Sequence, residues 1–376
     1  MTPDEAMRRA LARARTALGR TFPNPSVGAV VYRGSRLLGS GATRPPGGAH
    51  AEIVALRQAE RRFGKPLLRG ASMAVTLEPC CHRGRTGPCV EALIEAGLGR
   101  VYVGCVDPHP EVSGRGVRRL RRAGVETRVG VLGDRCREQH RGFLSVWERR
   151  RPFVTLKLAS SLDGRIATVS GASRWITGPE ARRRVHDLRR RVDGIMVGSG
   201  TALADDPDLS ARRGDRVIHR PVRILVDSRL RVPTRARLYR GHDGGARTWV
   251  LHAHGARGAG RLAGAGAASI PVARRGAHLD LRAGLRALAR KGLTTLLVEG
   301  GGQLAAALLR AGLIDEIHWF LAPLLLGAEG RPAVGALAVR RLESAARLED
   351  VTVRRVGRDL HLHGRVAARG EKGRSR

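Results

Sequence analysis

The residues that can do chemistry lie between His50 and Cys89. The stretch reads His50-Ala51-Glu52 and, after a gap, Glu78-Pro79-Cys80-Cys81-His82-Arg83-Gly84-Arg85-Thr86-Gly87-Pro88-Cys89. One His and two Cys can hold Zn²⁺ in a tetrahedron whose fourth position is left to water, which separates a catalytic zinc from a structural one. Zinc held in this way lowers the pKa of its water toward neutrality. Glu52, two residues past His50, is placed to take a proton from that water and pass it to a leaving amine. A closed structural clip would leave Glu52 without a task. The ligands are therefore expected to be His50, Cys80 and Cys89. Cys81 is expected to stay off the ion, because adjacent residues rarely both reach one tetrahedral centre.

Those residues must be brought together by the elements around them. Thr2-Pro3-Asp4-Glu5 combines an N-cap, a Pro at the first helical position and early acids; Met7, Leu11, Ala14 and Leu18 then share one face, so an amphipathic first helix is expected. In Thr21-Phe22-Pro23-Asn24-Pro25-Ser26-Val27-Gly28-Ala29-Val30-Val31, two prolines should hold Asn24 in an extended loop before a buried strand. An amide fixed there can read the edge of a pyrimidine, or simply form a turn. A hairpin-like return to Gly39-Ser40-Gly41 leads to a helix over 49–59 that carries His50 and Glu52 in its first turn. A strand over 73–77 ends at Glu78-Pro79-Cys80, a helix over 90–96 is closed by Gly97, and 101–106 is another strand. This alternation predicts a layered α/β domain.

A charged connector, Trp147-Glu148-Arg149-Arg150-Arg151-Pro152, marks a boundary within 143–152. A second domain should open with a strand over 153–159, followed by Ser161-Leu162-Asp163-Gly164-Arg165-Ile166-Ala167 as a turn and return strand. A helix over 179–191, a strand over 194–200, a loop over 201–207 and strands over 222–227 and 248–252 come next. The Ala/Gly/Arg-rich stretch over 252–276 reads as loop with short elements. Thr294-Thr295-Leu296-Leu297-Val298-Glu299-Gly300-Gly301-Gly302-Gln303 then enters a helix over 304–311. A strand, a glycine turn and a helix N-terminus make an anion site from backbone N–H groups, although a tight structural turn would look the same. It is not the Gly-x-Gly-x-x-Gly of a dinucleotide fingerprint.

The chain has 376 residues, enough for two domains, and its 42% hydrophobic content can fill buried cores. Its net charge of +36 invites a nucleic-acid partner. However, Lys occurs only at 65, 157, 291 and 372, so 65 of the 69 basic residues are Arg, spread along the whole chain. Aromatics are 3%, poor for base stacking, and an anionic small substrate suits the charge equally well. The five Cys are odd in number and gather partly in the zinc motif, which argues against a disulfide framework. No apolar run approaches the ~18 residues needed to span a membrane, and no signal-peptide core follows the early charges. A reducing, cytoplasmic location is expected.

The first half resembles one family closely: the bifunctional deaminase–reductases of riboflavin biosynthesis. His-x-Glu with Pro-Cys and a later Cys is the zinc deaminase pattern, and Glu-Pro-Cys-x-His-x-Gly-Arg-Thr-x-Pro-Cys follows the family except at Cys81 and Gly87. Pro-Asn-Pro-x-Val-Gly and Asp107-Pro108-His109-Pro110 with Gly114-Arg115-Gly116 match further segments, the latter as the last loop and helix of that domain. Thr43 departs from the family's usual His. In the second half, Leu-Asp-Gly-Arg, Trp175-Ile176-Thr177-Gly178, Ala-Asp-Asp-Pro and the Gly-Gly-Gly turn resemble the reductase partner.

The Gly- and Arg-rich stretch 367–376 lies beyond the resemblance and is expected to be a disordered tail. The resemblance implies a cytidine-deaminase-like layered domain over 1–147 and a dihydrofolate-reductase-like, NADPH-dependent domain over 152–366. It implies Zn²⁺ and NADPH as cofactors, a phosphorylated pyrimidine substrate, no nucleic acid, no membrane and a homo-oligomer. Asn24, His82, Arg85, Ser173, Arg189, Leu209, Arg212 and Glu299 match substrate-contacting positions. Ala159, Trp175, Thr201, Asp205, Ser228, Gly301, Gly302, Gln303, Leu304, Ala305, Ala306 and Ala307 match nucleotide-contacting ones. Arg189 and Arg212 are chemically apt for a 5′-phosphate, which a guanidinium binds bidentately. Lys157, a rare lysine at a strand end, is a candidate catalytic residue of the reductase. The alternative is a zinc deaminase acting on nucleic acid, which leaves the second half unexplained.

Overall fold

The computed structural model describes residues 1–82, 87–240 and 248–367. The chain divides into two compact units, Met1–Arg151 and Pro152–Arg376.

The first unit begins with α1 (Pro3–Ala17), capped by the Thr2 hydroxyl on the Glu5 N–H. β1 (Gly28–Arg33) and β2 (Arg36–Ala42) form an antiparallel hairpin, and α2 (Ala51–Phe63) follows with His50 as its N-cap residue. Next come β3 (Ser72–Leu77), α3 (Cys89–Glu95), β4 (Arg100–Cys105), α4 (Arg115–Arg122), β5 (Glu126–Val129), α5 (Gly133–Gln139) and α6 (Arg141–Arg149). The sheet order is β2-β1-β3-β4-β5, with β3, β4 and β5 mutually parallel. Every residue of β3 is buried, as a central strand covered on both faces requires. Glycines set the layer spacing. A Cβ on Gly28 would run into the Ala10 carbonyl of α1, and one on Gly41 into the Ala51 carbonyl of α2. Gly28 pairs with Ala42, so Gly41 points the other way and the two helices cover opposite faces.

One expectation changes here. The segment after Gly116 is not the end of the domain, because β5, α5 and α6 follow it. The charged stretch from Trp147 begins inside α6, which ends at Arg149, and the division between the units falls between Arg151 and Pro152, within the expected 143–152.

The second unit is built on β6 (Phe153–Ser161), followed by β7 (Arg165–Ala167), α7 (Pro179–Arg189), β8 (Gly194–Gly198), α8 (Ser199–Asp205), β9 (Ala211–Arg213), β10 (Arg216–His219), β11 (Val222–Val226) and β12 (Thr248–Ala253). The chain continues through α9 (Gly260–Gly264), β13 (Ala267–Val272), β14 (Arg274–Arg275), β15 (His278–Leu279), α10 (Leu281–Arg290), β16 (Thr295–Glu299) and α11 (Gly302–Arg310). It closes with β17 (Glu316–Ala322), β18 (Arg331–Pro332), β19 (Leu348–Val356) and β20 (Asp359–Val366). Nine strands form one sheet in the order β13-β12-β11-β8-β16-β6-β17-β20-β19. It is parallel from β13 to β17, and β20 and β19 add an antiparallel hairpin.

Three further expectations change. Residues 201–207 are mostly helix α8, not loop; their Ala-rich core outweighs the Asp-Asp-Pro terminator. Inside the stretch read as loop, 267–272 is strand β13, an edge position where Pro271 costs no ladder bond. The return strand β7 pairs with β18 and not with β6. The expected tail lies almost wholly outside the described residues.

Because Gly41 brings α2 directly onto β2, a Cβ there must push the helix that starts at His50. Gly41→Ala is expected to destabilise the first unit by roughly 1–3 kcal/mol, read from denaturant unfolding, and to weaken zinc retention in parallel.

Candidate active sites

The first site sits where β3 ends and two helices begin. Cys80 follows β3 by a short turn, His50 caps α2, and Cys89 is the first residue of α3. His50 Nδ1 lies 3.3 Å from Cys89 Sγ and 3.6 Å from Cys80 Sγ. All three ligand atoms fall within 4.8 Å of one another. The Cys89 N–H points at Cys80 Sγ at 3.4 Å. Hydrogen bonds from the Cys89 thiol and from His50 hold the Cys80 thiol well below the ordinary thiol value despite burial. Two soft sulfurs and an imidazole in this arrangement fit Zn²⁺. Glu52 is 4% exposed, in the first turn of α2. Burial, and then the charge of Cys80, push its carboxyl up to about 7. Such a group can take and release a proton near neutrality.

The surroundings assign other roles. Cys81 points away, its thiol on the Glu111 carbonyl at 3.4 Å, and it is not part of the ligand cluster. His82 stacks on His109 at 5.5 Å, and among the described residues its buried Nδ1 has no partner. Arg85 lies outside the described residues. Asn24 is half-buried, but in a tight turn around the cis Phe22–Pro23 bond, with its N–H on Thr21 O at 2.8 Å; the extended loop expected from the two prolines is absent. Thr43 is buried, and its hydroxyl accepts from the Val27 N–H at 3.1 Å, which makes it a strand-end clamp. Glu78 escaped the sequence reading. Its buried carboxylate accepts from the N–H groups of Asp107, Gly114 and Val117 at 3.2, 2.9 and 3.1 Å, anchoring the loop that presents His109. Only its place in the Glu-Pro-Cys motif signalled it.

The second site lies along the carboxyl ends of the parallel strands, where open α/β sheets bind ligands. Glu299, last in β16, pairs in register with Lys157 of β6. Its carboxylate accepts from Arg189 Nε at 2.6 Å and Nη2 at 2.8 Å, while Arg189 Nη1 donates to Ser210 O at 3.1 Å. Burial alone would raise the Glu299 carboxyl, but Arg189 and Lys157 hold it at about 2. Lys157 is mid-strand, not at a strand end, and burial pushes its ammonium below the ordinary value against the pull of Glu299. The Arg189 fork expected to meet a phosphate is thus committed to Glu299. Arg212 is 37% exposed and donates to Asp208, Ser210 and the Asp215 carbonyl. Asp208 was not anticipated. Burial opposes its charge, yet Ser210, Arg212, Arg223 and Arg220 hold it at about 2. Leu209 has φ +59 and a side chain 4% exposed, so only its backbone can meet a substrate. Ser173 is half-buried in the loop before α7.

The glycine turn meets α8. A Cβ on Gly300 would lie 2.7 Å from Thr201 Oγ1, and Gly301 has φ +53. Only glycine fits so close an approach at positive φ. The turn opens α11, whose first N–H groups, from Gly302, Gln303 and Leu304, have no intrahelical acceptor. The expectation for Ala305 and Ala306 needs correction: Ala305 N–H already bonds Gly301 O at 3.2 Å, and Leu304, Ala305 and Ala306 turn their side chains into the core, while Ala307 is half-buried. Asp205 ends α8, and its carbonyl receives Arg174 Nη2 at 3.4 Å, next to Trp175, which is 65% exposed under Arg182. Ala159 lies two residues beyond Lys157 on the same face of β6, and Ser228 follows β11. A strand-edge cradle with free helix N–H groups fits a phosphate-bearing nucleotide such as NADPH.

Fold and sites together define a zinc-binding deaminase domain joined to a reductase domain. Residues 1–105 match the family model for the cytidine and deoxycytidylate deaminase zinc-binding region, and residues 152–362 match the RibD C-terminal domain. The chain is 36% identical to the riboflavin biosynthesis protein RibD of Bacillus amyloliquefaciens, over 95% of this chain and 94% of that one. It superposes on Acinetobacter baumannii RibD with a TM-score of 0.87 at 34% identity, covering 97% of this chain and 99% of that one. A Thermotoga maritima structure, titled a diaminohydroxyphosphoribosylaminopyrimidine deaminase/5-amino-6-(5-phosphoribosylamino)uracil reductase, gives 0.84 at 31% identity over 97% and 99%. The chain belongs to the RibD family of bifunctional riboflavin-biosynthesis enzymes. No helix among the described residues is long and apolar enough to cross a membrane.

Glu299 contributes stability that is present above its ordinary value of 4.5 and lost as pH falls through about 2. Glu299→Gln should flatten this part of the acid limb in tryptophan-reported unfolding of the second unit. At neutral pH it should also cost roughly 3–5 kcal/mol, because Arg189 is left buried without its partner.

Proposed function

We propose that this chain catalyses two consecutive steps on one substrate. A 2,5-diamino-6-ribosylamino-4(3H)-pyrimidinone 5′-phosphate first loses its ring amine to water, and the ribosyl group is then reduced to a ribityl chain. The convergence of His50, Cys80 and Cys89 beside a buried Glu52 is the observation that carries the first step. Bound at these three residues, Zn²⁺ supplies an activated water at neutral pH. Glu52 accepts the proton of that water and returns it to the departing amine, so ammonia leaves. His82, with His109 behind it, faces the pyrimidine from the loop after Cys80, and Asn24 holds the edge of the ring.

For the second step, NADPH, when bound at this strand edge, would supply the hydride that the open-chain imine carbon C1′ of the sugar requires. Thr201, the Gly301–Gly302 backbone and the first turn of α11 hold the nucleotide phosphates. Arg212, partly exposed, takes the 5′-phosphate. Lys157 stands in register beside Glu299, whose charge is held by Arg189, and is the candidate proton donor at the reacting end. Five free cysteines support a reducing, cytoplasmic location. Exposed Val351 and Val353 on the outermost strand, β19, support self-association.

The test follows ammonia and NADPH absorbance together, with the diamino phosphate as substrate. Both signals should appear, ammonia first. Glu52→Gln should keep its zinc, lose ammonia release by at least about 100-fold, and still reduce the already deaminated compound. Loss of both activities in that variant would refute two separate sites, and ammonia without NADPH oxidation would leave a lone deaminase.

A further inference from the structure

Strands β17 and β20 run antiparallel, and His318 pairs directly with His363. Glu316 lies two residues before His318, and His361 two before His363, so all four side chains share one face of the sheet. The Glu316 carboxylate receives both imidazoles. Its Oε1 is 2.6 Å from His363 Nε2, and its Oε2 is 3.6 Å from His318 Nε2. The ligand atoms of the three residues lie within 4.8 Å of one another. His318 thus adds a second ligand atom at a distance too long for a hydrogen bond.

The surrounding groups orient the imidazoles. His318 Nδ1 is 2.9 Å from His361 Nε2. With His361 as the acceptor of the His318 Nδ1 proton, Nε2 of His318 is the atom that faces Glu316. This is the outer hydrogen bond that orients metal-bound histidines. Stacking on Phe320 at 4.4 Å fixes His361, and the Thr155 hydroxyl donates to Glu316 Oε2 at 3.0 Å. Arg184 and Arg354, close enough to act on His361, oppose a cation electrostatically.

We propose that Glu316, His318 and His363 form a second divalent transition-metal site, of the zinc class, on the sheet of the second unit. Two imidazole nitrogens and one carboxylate oxygen suit Zn²⁺ or Co²⁺ better than Mg²⁺ or Ca²⁺, which prefer oxygen alone. Metal–ligand bonds of about 2.0–2.2 Å require the His363–Glu316 contact to open and the His318–Glu316 contact to close slightly. Side-chain rotation achieves both. The His363 side chain is 31% exposed, so an ion can enter from solvent and keep a water as fourth ligand. Lys157 pairs with His318 across β6, so the cluster borders the reductase site without sharing its residues.

The full-length protein, stripped by chelator, is titrated with Co²⁺. Thiolate-to-cobalt charge transfer reports the His50/Cys80/Cys89 site; the proposed site adds d–d absorption without it. Two equivalents are expected in the wild type. His363→Gln and His318→Gln should each take one, with the thiolate band intact as a control for folding. X-ray absorption on the wild type should show nitrogen and oxygen ligands alone for the second ion. A single equivalent in the wild type, a second equivalent retained by both variants, or sulfur ligation of both ions would overturn the proposal.

Discussion

The deaminase site depends on a backbone-to-backbone contact that only glycine allows. α2 lies against β2 at Gly39 and Gly41, and α1 against β1 at Gly28, with no room for a Cβ at any of the three. That spacing sets where α2 begins, and therefore where His50 and Glu52 stand relative to the end of β3. The ligands then meet because Cys80 leaves β3 at the point where α2 and α3 start. Helix N-termini favour negative charge, so the fold itself stabilises a thiolate and the Glu52 carboxylate near the ion. Burial works against both. The balance lowers the Cys80 thiol and raises the Glu52 carboxyl to about 7.

The second unit solves a related problem with charge instead of metal. A glutamate and an arginine are buried together at the carboxyl edge of a parallel sheet, and each tolerates burial because the other is present. Lys157 is held in the same row by strand register. Asp208 organises a second basic group from Arg212, Arg220 and Arg223. Part of the chain's large arginine content is thus internal structure and not a surface for nucleic acid. The row continues past Lys157 to His318 and His363, where imidazoles replace the guanidinium groups and the chemistry turns from anion to cation binding.

Much of this was legible in order along the chain. Local spacing announces the zinc ligands, because His-x-Glu and Pro-Cys are short-range patterns with one chemical use. The glycine turn after β16 was legible as a turn, but a purely structural turn would have read the same. What misled were segments whose local composition disagreed with their packing. Residues 201–205 looked like loop because acids and Pro follow them, yet α8 is held by its place after β8. Residues 267–272 have no clear period, yet pair with β12 along their length.

By itself, the sequence determined a His and two Cys suited to Zn²⁺, an acid two residues past the His, the order of the two domains and a glycine turn entering a helix. These rest on residue types and spacings that local backbone geometry carries through. Only the tertiary structure decided what distant residues do to one another. It committed Arg189 to Glu299 across 110 positions, made Glu78 an anchor for a loop, and turned Leu209, Ala305 and Ala306 inward. It also set His318 opposite His363. Strand register and burial decide such pairings, because they depend on which segments become neighbours, and no local pattern records that.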